Sequence, residues 1–161
     1  MASAIQWLSA AALLAALFWL FRFAMGLRYA KLERERERSA LLGQGRRLVA
    51  EVPAANGGLG LFVEDDAGFA LGDVSLAKAE LVGVRLLVNG RVVDSRQRPG
   101  SELAASEVEE HEGRERWDVL ASLSGPRSVV IACGSLGEGV SREAAQRVFA
   151  ALARALPGGG A

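Results

Sequence analysis

The sequence predicts an α+β chain: one N-terminal transmembrane helix, then a small, antiparallel, partly open β-barrel of about seven strands capped by a C-terminal α-helix. Three observations carry this expectation. An almost unbroken apolar run fills Ala4 to Phe21. From Arg46 onward, short β-like runs alternate with Gly-containing turns. A single amphipathic segment then runs to Leu156 and is stopped by Pro157-Gly158-Gly159-Gly160.

The apolar run sets the first element. Between Ala4 and Leu27 the only charge is Arg22. About 20 apolar residues, at about 1.5 Å of rise each, span a hydrocarbon core of about 30 Å. A buried soluble helix seldom stays apolar on every face for so long. A cleaved signal peptide carries positive charge before its apolar stretch and a small-x-small site after it. Here Met1 to Gln6 holds no charged side chain, and Phe21-Arg22-Phe23 ends the run. Residues 1–27 are therefore expected to be an uncleaved anchor.

Orientation follows from one-sided charge. Arg22, Arg28, Lys31, Arg34, Arg36 and Arg38 all lie after the run and none before it. The positive-inside rule then places the N-terminus outside and the C-terminal domain in the cytoplasm, as a single-pass protein of the inner (plasma) membrane. Trp7 is expected at the outer interface, with Trp19, Arg22, Arg28, Tyr29 and Lys31 at the inner one. Arg22 would snorkel toward the headgroups. The small residues Ala11, Ala12, Ala15 and Ala16 would permit close helix contact.

Residues 28–45 read as a helical stalk continuing the anchor, with Gly43 and Gly45 as its stop. Lys31 and Glu35 form a favourable four-apart pair, whereas Glu33 with Glu37 and Arg34 with Arg38 repel. The stalk is expected to act as a spacer. Its sharper alternatives are a docking helix for another subunit, or a surface for anionic lipid through Arg34, Arg36 and Arg38.

Net charge is +0 but unevenly spread. Residues 22–47 carry eight Lys/Arg against three Glu, and residues 48–161 carry eleven against sixteen Asp/Glu. A mildly acidic domain argues against nucleic acid as partner, which calls for a basic face. Cys133 is the one cysteine. A lone thiol suits a reducing compartment, and inside Val129-Val130-Ile131-Ala132-Cys133 it reads as a small buried hydrophobe.

Residues 46–156 form the expected domain, with 157–161 as a tail. Strands are expected at Leu48–Val52, Leu59–Glu64, Phe69–Leu71 and Val74–Leu76, followed by one tight or helical turn at Lys78–Glu80. Leu81–Val88 follows, with Val82, Val84, Leu86 and Val88 on one face. Asn89-Gly90 is a type I′ hairpin signal returning through Arg91–Ser95. Residues 97–115 are polar and acidic and read as a surface excursion. Trp117, Val119, Ala121 and Leu123 then face inward, and Val129–Cys133 is the last strand. Ser141 is a good N-cap for a helix presenting Ala145, Val148, Phe149, Leu152 and Leu156 on one face.

Two segments carry a family resemblance. Phe62-Val63-Glu64-Asp65-Asp66-Ala67-Gly68-Phe69-Ala70-Leu71-Gly72 and Val74-Ser75-Leu76-Ala77-Lys78-Ala79-Glu80-Leu81-Val82-Gly83-Val84 give a strand, a Gly turn, a short strand and a polar step into the next strand. With the closing strand, Gly-rich loop and helix, this resembles the bacterial form of the pleckstrin-homology (PH) superfold over Arg46 to Leu156. The resemblance implies a partly open barrel plugged by the terminal helix. It does not transfer phosphoinositide binding: PH domains use Lys and Arg around the first hairpin, and Pro53 to Gly60 has no basic residue.

No catalytic set assembles from the sequence. His111 sits in Glu-Glu-His-Glu, where neighbours in sequence lack ligand spacing and no second His is available. Gly134-Ser135-Leu136-Gly137-Glu138-Gly139 resembles a phosphate-cradling loop before a helix but lacks the Gly-Lys-Ser/Thr of a P-loop. Asp65 and Asp66 read as a turn pair, and Cys133 and Ser135 have no base nearby in sequence. No cofactor or metal is expected. The expected function is a membrane-anchored, non-catalytic interaction module or accessory subunit of a larger membrane protein complex, with the bilayer and another membrane protein as partners. One alternative is a ligand- or nucleotide-binding domain, catalytic or not, using residues 134–139. A weaker one is anionic-lipid sensing by the stalk.

Overall fold

The computed structural model describes residues 2–43, 45–54, 58–101, 113, 115–135 and 142–156. The chain divides into two units, Met1–Gly43 and Gln44–Ala161.

The first unit is one helix, α1 (Ala2–Gly43), of 42 residues. Ala, Leu, Glu and Arg dominate it and no proline interrupts it, so propensity favours one continuous rod. The helix passes through Leu27-Arg28 without a break, joining the expected anchor and stalk into one element. Past its end Gly45 adopts a positive φ of 73°, which ends helical geometry at little cost.

The expected transmembrane span is not found. Among the described residues no helix is long and apolar enough to cross a membrane. The described side chains of α1 begin at Ala15, and from there Arg22 and Arg28 break the apolar stretch before it reaches spanning length. The side chains of residues 1–14, which make up most of the run and include Trp7, lie outside the described residues. The single-pass topology, the inner-membrane location and the N-out orientation all rested on that span and are withdrawn with it.

Among the described residues, the second unit holds eight strands and a helix. The strands β1 (Arg47–Pro53), β2 (Leu59–Glu64), β3 (Gly68–Leu71) and β4 (Val74–Ala77) form one antiparallel sheet in that order. A 3₁₀ turn at Lys78–Glu80 then carries the chain out of this sheet. The second sheet is built from β5 (Leu81–Val88), β6 (Arg91–Gln97), β7 (Arg116–Leu123) and β8 (Ser128–Ser135), in the order β6-β5-β7-β8. The chain ends with α2 (Arg142–Ala155).

This corrects the barrel expectation: the unit has two four-stranded sheets and no single curled sheet. The Lys78–Glu80 turn prevents β4 from pairing with β5, and β1 runs beside β8 without ladder pairing. Each sheet therefore keeps its own edges. The second sheet is not a simple meander either, because β5 sits between β6 and β7.

One core joins the sheets and α2. Ala50, Val52, Phe62, Phe69 and Leu76 from the first sheet meet Val84, Leu86, Val119, Ala121 and Ile131 from the second. Ala145, Val148, Phe149, Leu152 and Leu156 complete it, as helical spacing predicts. The inward residues of β7 are the expected Trp117, Val119, Ala121 and Leu123. On β5 the face differs from expectation at one position. A register shift between Leu81 and Gly83 puts Leu81 into the core in place of Val82. At the β5–β6 turn Asn89 (φ 51°) and Gly90 (φ 83°) both take positive φ, the signature of a type I′ turn.

Candidate functional site

On α1 the described side chains form an apolar collar. Leu17, Phe18, Trp19, Leu20, Phe21 and Phe23 are each more than half exposed, and Trp19 reaches 75%. Successive helical residues turn by about 100°, so five consecutive positions from Leu17 to Phe21 cover the whole circumference. Phe18, Trp19, Arg22 and Phe23 line a shallow groove of about 430 Å³ along this collar. Of the residues expected at the membrane interface, Trp19, Arg22, Arg28 and Tyr29 are exposed on α1, as are Arg36 and Arg38. The side chains of Lys31 and Arg34 lie outside the described residues.

The second unit carries a polar corner. It is a concavity of about 510 Å³ lined by Arg47, Glu64, Asp66, Lys78 and Arg154 among others. Glu64 bridges two cations, Arg47 Nη2 at 2.7 Å and Lys78 Nζ at 3.1 Å. Lys78 Nζ also donates to the Asp65 carbonyl oxygen at 2.7 Å and lies 5.4 Å from the Phe69 ring centroid. Asp65 Oδ1 accepts from the Ala67 and Gly68 N–H groups at 2.9 and 2.8 Å, which shapes the β2–β3 turn. Asp65 and Asp66 therefore belong to a turn, as the sequence implied. Arg47, Glu64, Lys78 and Asp65 are paired within this corner, which reads as a clamp on that turn.

A second corner lies where β7 begins. Asp118 is 1% exposed, and both its oxygens accept from Arg116 Nε, at 3.0 and 3.2 Å. Trp117 Nε1 donates to Glu115 Oε1 at 2.7 Å. The Arg142 guanidinium, at the start of α2, lies 5.5 Å from the Trp117 ring centroid. Cys133 is fully buried, and burial, with a smaller push from the Asp118 charge, raises its thiol to about 12. That holds the thiol protonated and inert at neutral pH. Sequence reasoning missed the Arg116–Asp118 pair. In a strand with alternating faces, an Asp at the outward position reads as a solvated residue, and nothing local says it is covered.

The remaining candidates fall elsewhere. His111 and most of the acidic excursion lie outside the described residues, as do residues 136–141 of the Gly-rich loop and the expected N-cap Ser141. Gly134 is described, pairs with Trp117 and has a φ of 94°. Among the described residues no group of three or more His, Cys, Asp or Glu could hold a metal ion.

Comparison with protein-family models, with curated proteins and with solved structures finds no match to this chain.

Proposed function

We propose that this chain is a non-catalytic interaction module, an accessory subunit in which a long N-terminal helix is followed in sequence by a β-sheet domain. The observation that carries this reading is the apolar collar of α1. Five consecutive large apolar side chains, Leu17 to Phe21, stand exposed around the whole helix. Soluble monomers seldom expose a contiguous apolar patch larger than a few hundred Å², and larger ones mark association surfaces. Aromatic residues dominate the collar, as they do the energetic centres of protein interfaces. The domain's two antiparallel sheets with a C-terminal helix are compatible with a PH-like module. Fold alone assigns no activity, so the argument rests on the collar.

Affinity purification of the full chain in mild detergent, with light scattering, tests the proposal. Stable co-purification of a defined protein partner is expected. The double substitution Phe18→Ser with Leu20→Ser should abolish it while leaving the domain's unfolding midpoint unchanged. A strictly monomeric, partner-free chain would overturn the reading, as would flotation with phospholipid vesicles that accounts for all burial of the collar.

A further inference from the structure

The second sheet has two faces, and the core uses only one of them. Val84, Leu86, Val119, Ala121 and Ile131 point into the core. The residues between them on β5 and β7, namely Arg85, Leu87, Asp118, Leu120 and Ser122, therefore lie on the outer face. Ladder register sets this face in cross-strand rows, Val92-Leu87-Asp118-Ala132 and Ser95-Arg85-Leu120-Val130. The outer face of an antiparallel sheet commonly meets water. Here Leu87, Asp118, Leu120 and Ser122 are all buried, yet Leu87 and Leu120 have no place in the core cluster shared by the two sheets and α2. Val92 and Val130, at the ends of those rows, are close to half exposed. The cover on this face is therefore narrow. It shields the two central strands, β5 and β7, and leaves the flanking ones open.

We propose that the outer face of β5 and β7 is a docking surface, and that its occupant is the chain's own acidic segment, residues 102–112. Topology asks for a crossing at this place. β6 and β7 both pair antiparallel with β5, on opposite sides of it, so they run parallel to each other. β6 ends with Gln97 beside Gly83, whereas β7 enters with Trp117 beside Val88, at the other end of β5. Parallel strands of one sheet need a crossover connection over one of its faces. The inner face is filled by the first sheet and α2, which leaves the outer one. The stretch from Gly83 to Val88 is about 17 Å long, and two strand spacings are about 10 Å. An extended chain of about 11 residues reaches about 36 Å, so the segment is long enough. Its chemistry fits as well. Leu103 and Val108 offer apolar side chains for Leu87 and Leu120. Glu102, Glu107, Glu109, Glu110 and Glu112 make the segment acidic, with no Lys or Arg. The face carries Arg85 and Arg116 against one carboxylate, Asp118, so its net charge is opposite in sign to that of the segment. A second copy laid on this face would bury the flanking Val92 and Val130 too, and these are open. The assignment is independent of the α1 collar.

The test uses the full chain in mild detergent, in a Cys133→Ala background, with a maleimide as probe of single cysteines introduced by Leu120→Cys or Val130→Cys. Leu120→Cys is expected to label about tenfold more slowly than Val130→Cys, its exposed neighbour in the same row. Replacing residues 102–112 by a Gly-Ser linker of equal length should raise the Leu120→Cys rate to that of Val130→Cys, with a cooperative urea transition showing that the domain is still folded. If the linker variant does not fold, Leu103→Ser with Val108→Ser keeps the length and the charge and should speed labelling in the same direction. A Glu-specific protease reads the segment itself. Cleavage within 102–112 should be about tenfold slower in the native chain than in a free peptide of the same sequence. Leu120→Cys that stays protected in a folded linker variant overturns the proposal, because another element then covers the face. Protection that falls on dilution, the mark of a second copy, overturns it too, as does cleavage at the free-peptide rate. None of these results touches partner capture by the α1 collar, so the two readings fail separately.

Discussion

Phe62 on β2 and Phe69 on β3 stack with ring centroids 5.6 Å apart and planes 7° from parallel. Both rings are buried, and Phe62 has no exposed surface. In the ladder Phe69 lies opposite Glu64 and Phe62 opposite Leu71, so the two rings are diagonal neighbours on one face. This stack is the centre of the first sheet's contribution to the core. Phe62→Ala should destabilise the domain by about 3–5 kcal/mol, the cost of lost burial plus a cavity. Phe62→Leu should cost clearly less. Urea denaturation followed by tryptophan fluorescence reads both, with Trp117 buried in the same core as reporter.

Gly68 opens β3 where the backbone of β4 passes closest. A Cβ added there would run into the Leu76 carbonyl oxygen, with the Leu76 carbonyl carbon at 3.1 Å and Ala77 Cα at 3.2 Å. Backbone cannot swing aside as a side chain can. Gly68→Ala is expected to cost about 1–3 kcal/mol by forcing the strands apart. Gly72→Ala makes the control. Gly72 has open space around it but a φ of 56°, so its cost is conformational alone, about 1–2 kcal/mol. Differential scanning calorimetry of the two variants separates crowding from backbone strain: Gly68→Ala loses stability through the ladder, and Gly68→Ser should lose at least as much.

Most strand positions were legible from short β-branched and apolar runs bounded by Gly-containing turns. Trp117, Val119, Ala121 and Leu123 all face the core as period two demands, and α2 buries its expected stripe. The turn at Asn89-Gly90 was legible from its dipeptide alone. What the alternation did not contain was pairing. Whether β4 joins β5 depends on the direction in which a three-residue 3₁₀ turn aims the chain, and a curled barrel and two separate sheets share the same local pattern. The bulge that swaps Leu81 for Val82 was hidden for the same reason, because a bulge changes register without changing composition. The site was less legible still. The apolar collar shows in the sequence, but hydropathy counted over the whole run suggested a span, and the described part of the helix with Arg22 and Arg28 falls short of one. Nothing in the sequence marks the Asp118 carboxylate as buried, since burial of an outward strand position comes from tertiary cover.

Lys78 holds three groups at once: the Glu64 carboxylate, the Asp65 carbonyl oxygen and the face of Phe69. Its side chain is mostly buried, whereas Arg47, the other partner of Glu64, is mostly exposed. An exposed ion pair contributes about 0–1 kcal/mol and is screened by salt. Lys78→Met should therefore cost more, about 1–2 kcal/mol, because it also removes the bond to the turn carbonyl and the cation–π contact. Arg47→Met should cost less than about 1 kcal/mol. Chemical denaturation at low and high salt checks the ranking, and the Arg47→Met effect should be the one that disappears as salt is raised.

Cys133 gives the fold a dependence on alkaline pH. Burial, aided by the nearby Asp118 charge, raises its thiol from 9.0 to about 12. In the unfolded chain the thiol loses its proton at the lower value, while the native thiol keeps it. Between these values the native state binds more protons than the unfolded one, so stability falls as pH rises. The contribution is fully present below about pH 9 and is lost progressively toward pH 12. The slope contributed by one such group approaches about 1.4 kcal/mol per pH unit in that window. The decisive comparison is with Cys133→Ala, which removes only the thiol. Urea midpoints measured from pH 8 to 11 should fall more steeply for the native chain than for the variant. The same protonated thiol should resist a maleimide at pH 7 in native conditions and react once urea unfolds the domain, at a rate tracking the unfolded fraction. Rapid labelling of the native chain at pH 7 would mean that Cys133 is reached without unfolding, and the pH slope would then lose its cause.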